Sequence, residues 1–122
     1  MIGYTTVGTT DMEKAKAFYT PLLAEMGAKI VMDMGRIAFY GVAKGQPMFA
    51  ICLPYDKQAP TPGNGNMLAL AAGSREGVDK LYAKAIELGA SDEGAPGERI
   101  PGFYGGYFRD MDGNKLAFYH MG

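Results

Sequence analysis

Reactive side chains are scarce in this sequence, and the residue types that remain favour binding over bond making. One histidine, His120, and one cysteine, Cys52, occur among the 122 residues. A lone histidine supplies no base with an orienting partner, and no charged residue adjoins Cys52 to activate its thiol. Phenols are better represented on the predicted strands, at Tyr4, Tyr40, Tyr107 and Tyr119, and Arg109 adds a guanidinium. Phenols orient flat organic molecules and a guanidinium binds anionic groups, so these residues indicate a ligand-binding surface.

The clearest elements that could position such residues are two strands near the end of the chain. Residues 103–121 read FYGGYFRDMDGNKLAFYHM, two apolar runs around turn-forming residues, which predicts a β-hairpin. Alternation predicts one apolar face for packing against a helix, with Phe108, Leu116, Phe118 and His120. The other face is mixed and suits a ligand, with Gly105, Tyr107, Arg109, Lys115, Ala117 and Tyr119.

The chain also contains an internal repeat of the pattern β-α-β-β-β. The first copy has a strand over 2–8, a helix and strands over 29–33, 36–41 and 47–53. Thr10 and Glu13 predict a capping box for that helix, which extends to about Met26 with a kink or break at Pro21.

The second copy begins with a strand over 67–72. It continues with a helix from the cap Ser74 to about Leu88, a weak strand from Ser91 to Glu93, and the hairpin. The last two strands of the copies align at an offset of about 67 residues, which places Tyr40 on Tyr107 and Ala50 on Ala117. We therefore predict an α+β fold in one domain, with repeat one over 1–53, a linker over 54–66 and repeat two over 67–122.

Composition excludes several classes of function. The net charge of -1, without a basic cluster, disfavours nucleic acid as a partner. No apolar stretch of about 18 residues predicts a membrane span, and the first residues do not read as a secretion signal. With a single cysteine there is no intrachain disulfide, so we expect a cytoplasmic protein.

Three segments resemble the vicinal oxygen chelate superfamily of glyoxalases, bleomycin resistance proteins and extradiol dioxygenases. They read IGYTTVGTTDMEKAKAFYTPLL, NMLALAAGSREGVDKLYAKAIELGA and YFRDMDGNKLAFYH. The resemblance implies two βαβββ repeats that form a curved mixed sheet around a cleft, with the helices on the outer face. It also implies a homodimer, because family members of this length commonly pair.

In metal-using relatives, a ring of His, Glu or Gln side chains from the first and fourth strand of each repeat holds a divalent ion. Those positions fall here on Tyr4, Ala50, Met67 and Ala117, and two alanines supply no donor atom. We therefore predict no family-type metal and no other cofactor.

The resemblance then implies a ligand-binding cleft lined by Tyr4, Thr6, Tyr40, Ala50, Met67, Tyr107, Arg109, Ala117 and Tyr119. We expect it to bind a small, partly aromatic organic molecule. Two further functions stay open: an enzyme of the superfamily, such as a lyase, transferase or dioxygenase, with a different metal site, and a dimerising module without a ligand. A packed aromatic core in place of the cleft is the structural alternative.

Overall fold

The computed structural model describes residues 1–122 and divides into two compact units, Met1–Pro62 and Gly63–Gly122. The first unit contains β1 (Tyr4–Gly8), α1 (Met12–Ala24), β2 (Lys29–Asp33), β3 (Ile37–Gly41) and β4 (Met48–Cys52). The second contains β5 (Leu68–Ala71), α2 (Arg75–Glu87), β6 (Ser91–Ile100), β7 (Phe103–Arg109) and β8 (Lys115–Met121). Neither helix is both long and apolar enough to cross a membrane.

Each unit builds one four-stranded mixed sheet with the same topology. The strand orders are β1-β4-β3-β2 and β5-β8-β7-β6. In each sheet the first strand pairs parallel to the last, and the other pairs are antiparallel. The predicted α+β fold of two βαβββ repeats is therefore confirmed.

The start of α1 differs from the prediction by one residue. Asp11, not Thr10, is the N-cap, and its carboxylate accepts a hydrogen bond from Lys14 N at 3.1 Å. The buried Thr9 fixes this choice, because its hydroxyl oxygen accepts from Asp11 N at 3.1 Å. The helix continues through Pro21 without a break and ends at Ala24.

The predicted cap of α2 is confirmed, since Ser74 Oγ accepts from Gly77 N at 2.9 Å. Tyr82 then fixes α2 over the sheet. Its ring lies 3.3 Å from where a Cβ on Gly106 of β7 would stand, and its hydroxyl donates to Asp92 of β6 at 2.5 Å. Desolvation, followed by this hydrogen bond, raises the pKa of Tyr82 to about 12.

Strand β6 is much longer than the predicted 91–93. It extends to Ile100 across Gly94, Pro96 and Gly97, with register shifts against β7 at three places. Because β6 is an edge strand, the missing N–H of Pro96 leaves no partner unsatisfied across the sheet. The segment with Gly and Pro that predicted a loop is therefore accommodated within the strand by β-bulges.

The hairpin turn is held by one carboxylate. Asp110 Oδ1 accepts from the backbone N–H groups of Asp112 and Asn114, each at 2.9 Å, and Oδ2 accepts from Asn114 Nδ2 at 2.9 Å. Gly113 supplies the positive φ of 86°. The register pairs Phe108 with Leu116, so the predicted hairpin and its two faces are confirmed.

Candidate ligand-binding face

We define the open face of each sheet as the side opposite its helix. In the first sheet, Phe49 of β4 lies on the helix side, with its ring centroid 4.9 Å from that of Tyr19 in α1. Ala50 therefore faces the open side, where it pairs with Phe39 and Thr6. Ala50 is nevertheless 0% exposed. This position is packed and offers no surface to a ligand.

Tyr4 is an accessible predicted site residue of the first sheet. Its side chain is 55% exposed, and its ring meets Phe39 edge-on at 5.1 Å. Thr6 is also exposed. These two residues lie on the open face, as predicted.

Tyr40 lies on the helix side, so its predicted place on the open face is wrong. It is 1% exposed, and its hydroxyl hydrogen-bonds the Thr20 hydroxyl of α1 at 2.8 Å. Burial is the main cause that raises its pKa. Phe39 occupies the position that corresponds to Tyr107, since each pairs with an alanine of the last strand.

The error arises from the length of one loop. Residues 42–47 separate β3 from β4, whereas the shorter segment 110–114 separates β7 from β8. A single offset for both strands therefore misplaces β3 by one residue, and a one-residue slip moves every side chain to the other face.

On the open face of the second sheet, Tyr107 lies between small residues. The pairing register runs from Ala69 through Ala117 to Tyr107 and Gly94. The Tyr107 ring leans toward Gly94, since a Cβ there would stand 3.2 Å from it. Ala117 is 1% exposed and packed, whereas Ala69 at the outer strand is exposed.

The next set of paired residues on this face also places a ring between small residues, since Tyr119 pairs with Ala71 and Gly105. Tyr119 stacks on Phe103 with ring centroids 5.7 Å apart and planes 7° apart. Phe103 covers Gly105, since a Cβ there would meet its ring at 3.1 Å. The uncovered part of the open face thus consists of Ala69 and Ala71 of β5, beside the stacked rings of Phe103 and Tyr119.

Two cations flank the Tyr107 ring. The guanidinium carbon of Arg99 lies 5.2 Å from the ring centroid, and Lys115 Nζ lies 5.6 Å from it. Arg99 donates to Ala95 O at 2.6 Å, a neutral acceptor. This edge of the face therefore carries positive charge next to a phenol.

Arg109, the predicted anion ligand, is already paired. Its Nε donates to Glu93 at 2.5 Å and its Nη1 donates to Gly113 O at 2.8 Å. Its partner Glu93 lies 16 residues away on β6, so no local pattern in the sequence indicates the pair. The local positive charge at Tyr107 comes from Arg99 and Lys115.

The other chemistry-bearing residues lie apart from this face. Met67 precedes β5 and is 45% exposed. His120 is half-buried on the α2-facing side of β8, as alternation predicted, and Cys52 is a half-buried free thiol at the end of β4. A cavity of about 550 Å³ in the first unit is lined by Ile2, Val31, Val42 and Met48 among others, and none of the predicted site residues lines it.

Comparison with known proteins assigns the chain to a family. Residues 1–118 match the model of the Glyoxalase/Bleomycin resistance protein/Dioxygenase superfamily. The chain belongs to this superfamily. No protein of curated function matches it.

Three solved structures of the superfamily illustrate the likeness. A glyoxalase/bleomycin resistance protein from Albidiferax ferrireducens T118 is 35% identical over 100% of this chain and 99% of that chain, with a TM-score of 0.91. A putative glyoxalase from Bacillus halodurans is 26% identical over 98% and 94%, with a TM-score of 0.79. A lactoylglutathione lyase from Agrobacterium tumefaciens, 21% identical over 98% and 92% at a TM-score of 0.69, shares the fold.

The residues of this superfamily member do not fit the family metal. Ala50 and Ala117 carry no donor atom and are 0% and 1% exposed, so no other side chain could enter at those positions without repacking. Tyr4 and Met67 offer a phenol and a thioether, which are poor ligands for the usual divalent ions. No group of three or more His, Cys, Asp or Glu side chains is placed to hold a metal.

Sequence reasoning missed Phe103, Arg99 and the flanking glycines. The signal for Phe103 was present, because it shares its parity with Gly105 and Tyr107 on the predicted strand. Arg99 carried no usable signal, since the segment around Gly94 and Gly97 reads as a loop. In the structure a Cβ on Gly97 would stand 2.8 Å from Arg99 Nη1, so the absent side chain makes room for the guanidinium.

Proposed function

We propose that this superfamily member binds a small, partly aromatic organic molecule on the open face of the second sheet, without the family metal. The observation that carries the proposal is the alternation of rings and small residues across β5, β8 and β7. A flat molecule on Ala69 and Ala71 would bury apolar surface against the Phe103–Tyr119 stack, and such burial contributes about 25 cal/mol per Å².

The charges favour an anionic substituent on that molecule. Arg99 and Lys115 flank Tyr107, and a cation–π contact leaves the positive charge of each side chain in place. The hydroxyl of the same Tyr107 ring offers both a donor and an acceptor. An aromatic ring with a carboxylate or a phenolate matches this set of groups.

The test is a thermal-shift screen of a panel of flat aromatic acids and their neutral amides. A ligand of the folded state at ten times its Kd stabilises by about 1.4 kcal/mol, which raises Tm by roughly 5 °C for a domain of this size. Amide shifts in the ¹⁵N–¹H spectrum should then change at Ala69, Ala71 and Tyr119. A panel without any stabilising compound, or with shifts elsewhere only, would contradict the proposal.

A superfamily enzyme with a different metal site is the second candidate, and metal content separates the two. We expect elemental analysis after incubation with zinc, nickel, iron and manganese to show less than stoichiometric metal. Stoichiometric metal that only a chelator removes would favour the enzyme.

We further propose a cytoplasmic homodimer. Exposed apolar side chains support pairing, since Ile2, Val31 and Val42 of the first unit are 57%, 50% and 61% exposed. Unpaired edges of both sheets are a second reason to expect an interface. Sedimentation velocity at micromolar concentration should show one species of twice the chain mass, and a monomer would contradict it.

A further inference from the structure

The segment that follows β4 forms a second pocket, distinct from the open face of the second sheet. It encloses about 440 Å³, within the range of small-molecule sites. Its lining consists of Thr9, Thr10, Arg36 and residues 53–60 apart from Asp56. All of these residues belong to the first unit.

The lining contains two cations and no acid. Arg36 and Lys57 both border the pocket. The carboxylate of Asp56 accepts from Gln58 N at 3.0 Å within its own turn, and that of Asp11 accepts from Lys14 N at the start of α1. The lining therefore holds two cationic residues, and the carboxylates of Asp56 and Asp11 belong to neighbouring residues outside it.

Arg36 is positioned by neutral partners only. Its Nη1 donates to Leu53 O at 2.9 Å, and its guanidinium carbon lies 5.4 Å from the centroid of the Tyr55 ring. A guanidinium has five N–H donors, so most of them stay available to a ligand. The Tyr55 side chain is 85% exposed, which leaves ring surface for a flat molecule.

Lys57 adopts a backbone conformation that lysine rarely takes. Its φ is 64°, and every other residue with positive φ is a glycine. The turn is closed by the hydrogen bond from Lys57 N to Pro54 O at 3.0 Å. This strained backbone position coincides with a residue that lines the pocket.

The loop is seated on the sheet, so the pocket is preformed. Pro60 lies directly over Gly8 of β1, where a Cβ would stand 2.7 Å from Pro60 Cβ. Leu53 N also donates to Arg36 O at 2.9 Å, which ties the loop to the start of β3. These contacts hold both ends of the segment.

We infer that this pocket is a second ligand site that takes a small aromatic carboxylate, with the carboxylate on Arg36 and Lys57 and the ring on Tyr55 and the neighbouring prolines. Charge complementarity selects the anion, because a carboxylate accepts two donors of a guanidinium at once. The apolar part of the lining, Leu53, Pro54, Ala59 and Pro60, favours a molecule with an apolar body. This site does not depend on the proposed function, which concerns the second unit.

The experiment is a titration of the ¹⁵N-labelled full chain with 2-naphthoate, read at the backbone amides of Thr10, Lys57 and Ala59. We expect saturable shifts at these amides. The neutral 2-naphthamide should bind at least tenfold more weakly, because it has the same body without the charge. Equal binding of the amide, or shifts confined to Ala69, Ala71 and Tyr119, would overturn the inference while leaving the proposed function standing.

Two variants and one control complete the test. Arg36→Gln should raise the Kd for 2-naphthoate tenfold or more. Lys57→Asn should raise it severalfold, since asparagine tolerates the positive φ while the variant lacks the ammonium. Lys44→Gln, an exposed lysine outside this lining, should leave the Kd unchanged. If Arg36→Gln does not fold, Lys57→Asn alone decides the outcome. Inorganic phosphate that shifts the same amides with equal affinity would overturn the aromatic assignment.

Discussion

Two alanines that pair across the second sheet should respond differently to the same substitution. Ala117 is 1% exposed in the central strand β8, whereas its partner Ala69 lies exposed on the edge strand β5. Replacing each with tryptophan tests whether the open face is packed at Ala117 and accessible at Ala69. Ala83, exposed on the outer side of α2, is the matched control position.

The expected magnitudes follow from burial. Ala117→Trp forces a large ring into filled space and should cost about 1–3 kcal/mol, which lowers Tm by roughly 5–15 °C. Ala69→Trp and Ala83→Trp add their rings in solvent and should change stability by less than about 0.5 kcal/mol. Ala69→Trp should nevertheless block ligand binding at this face, and Ala83→Trp should not.

The chain contains no tryptophan, so each variant carries a single fluorescent reporter. Urea unfolding followed by this fluorescence gives the stability, and acrylamide quenching of the folded state gives the accessibility of the indole. A destabilisation of Ala69→Trp as large as that of Ala117→Trp would refute the accessibility of the β5 alanines. A neutral effect of Ala117→Trp would show that Ala117 lies under an open cavity.

Four further substitutions test hydrogen bonds that position the helices and the turn. Tyr82→Phe removes the hydroxyl donor that lowers the pKa of Asp92. The resulting decrease in the free energy of unfolding, measured with urea, should be largest near neutral pH. The difference in stability between the wild type and this variant should shrink as pH falls through the folded pKa of Asp92. It should also shrink as pH rises from about 10 toward the folded pKa of Tyr82, which is about 12. Tyr40→Phe should cost about 1 kcal/mol or less by the same assay, because water can replace its hydroxyl at the exposed Thr20. Thr20→Ala should cost about 1–3 kcal/mol, because it leaves the buried Tyr40 hydroxyl without its partner. Asp110→Ala should cost about 2–3 kcal/mol and broaden the amide signals of the turn, since three N–H groups lose their acceptor.

Local signals in the sequence were sufficient for most of the fold. The register of the last hairpin follows from alternation and from the turn chemistry of Asp110 and Gly113. Ser74 is recognisable as a cap because no competing residue precedes it. At α1 two adjacent residues, Thr10 and Asp11, compete for the cap, and the buried Thr9 decides between them through a hydrogen bond that no sequence pattern shows.

The candidate site was less predictable because it depends on non-local pairing. Tyr40 was misplaced by a one-residue difference in loop length, and Arg109 is paired by Glu93 through a β6–β7 register that no local pattern shows. Arg99 reaches Tyr107 only because bulges and glycines keep β6 in the sheet. Burial of Ala50 and Ala117 likewise depends on neighbouring strands.

The equivalent positions Ala50 and Ala117 show why a metal ligand is not one substitution away. Each alanine pairs with an aromatic residue of the adjacent strand, Phe39 in the first sheet and Tyr107 in the second. An imidazole or carboxylate in place of either methyl group would have to displace packed atoms, at a cost of about 1–3 kcal/mol, and would still provide one donor where a divalent ion needs at least three. Smaller residues would have to replace Phe39 and Tyr107 before coordination of an ion became favourable. Both repeats thus use these strands for packing and aromatic contact.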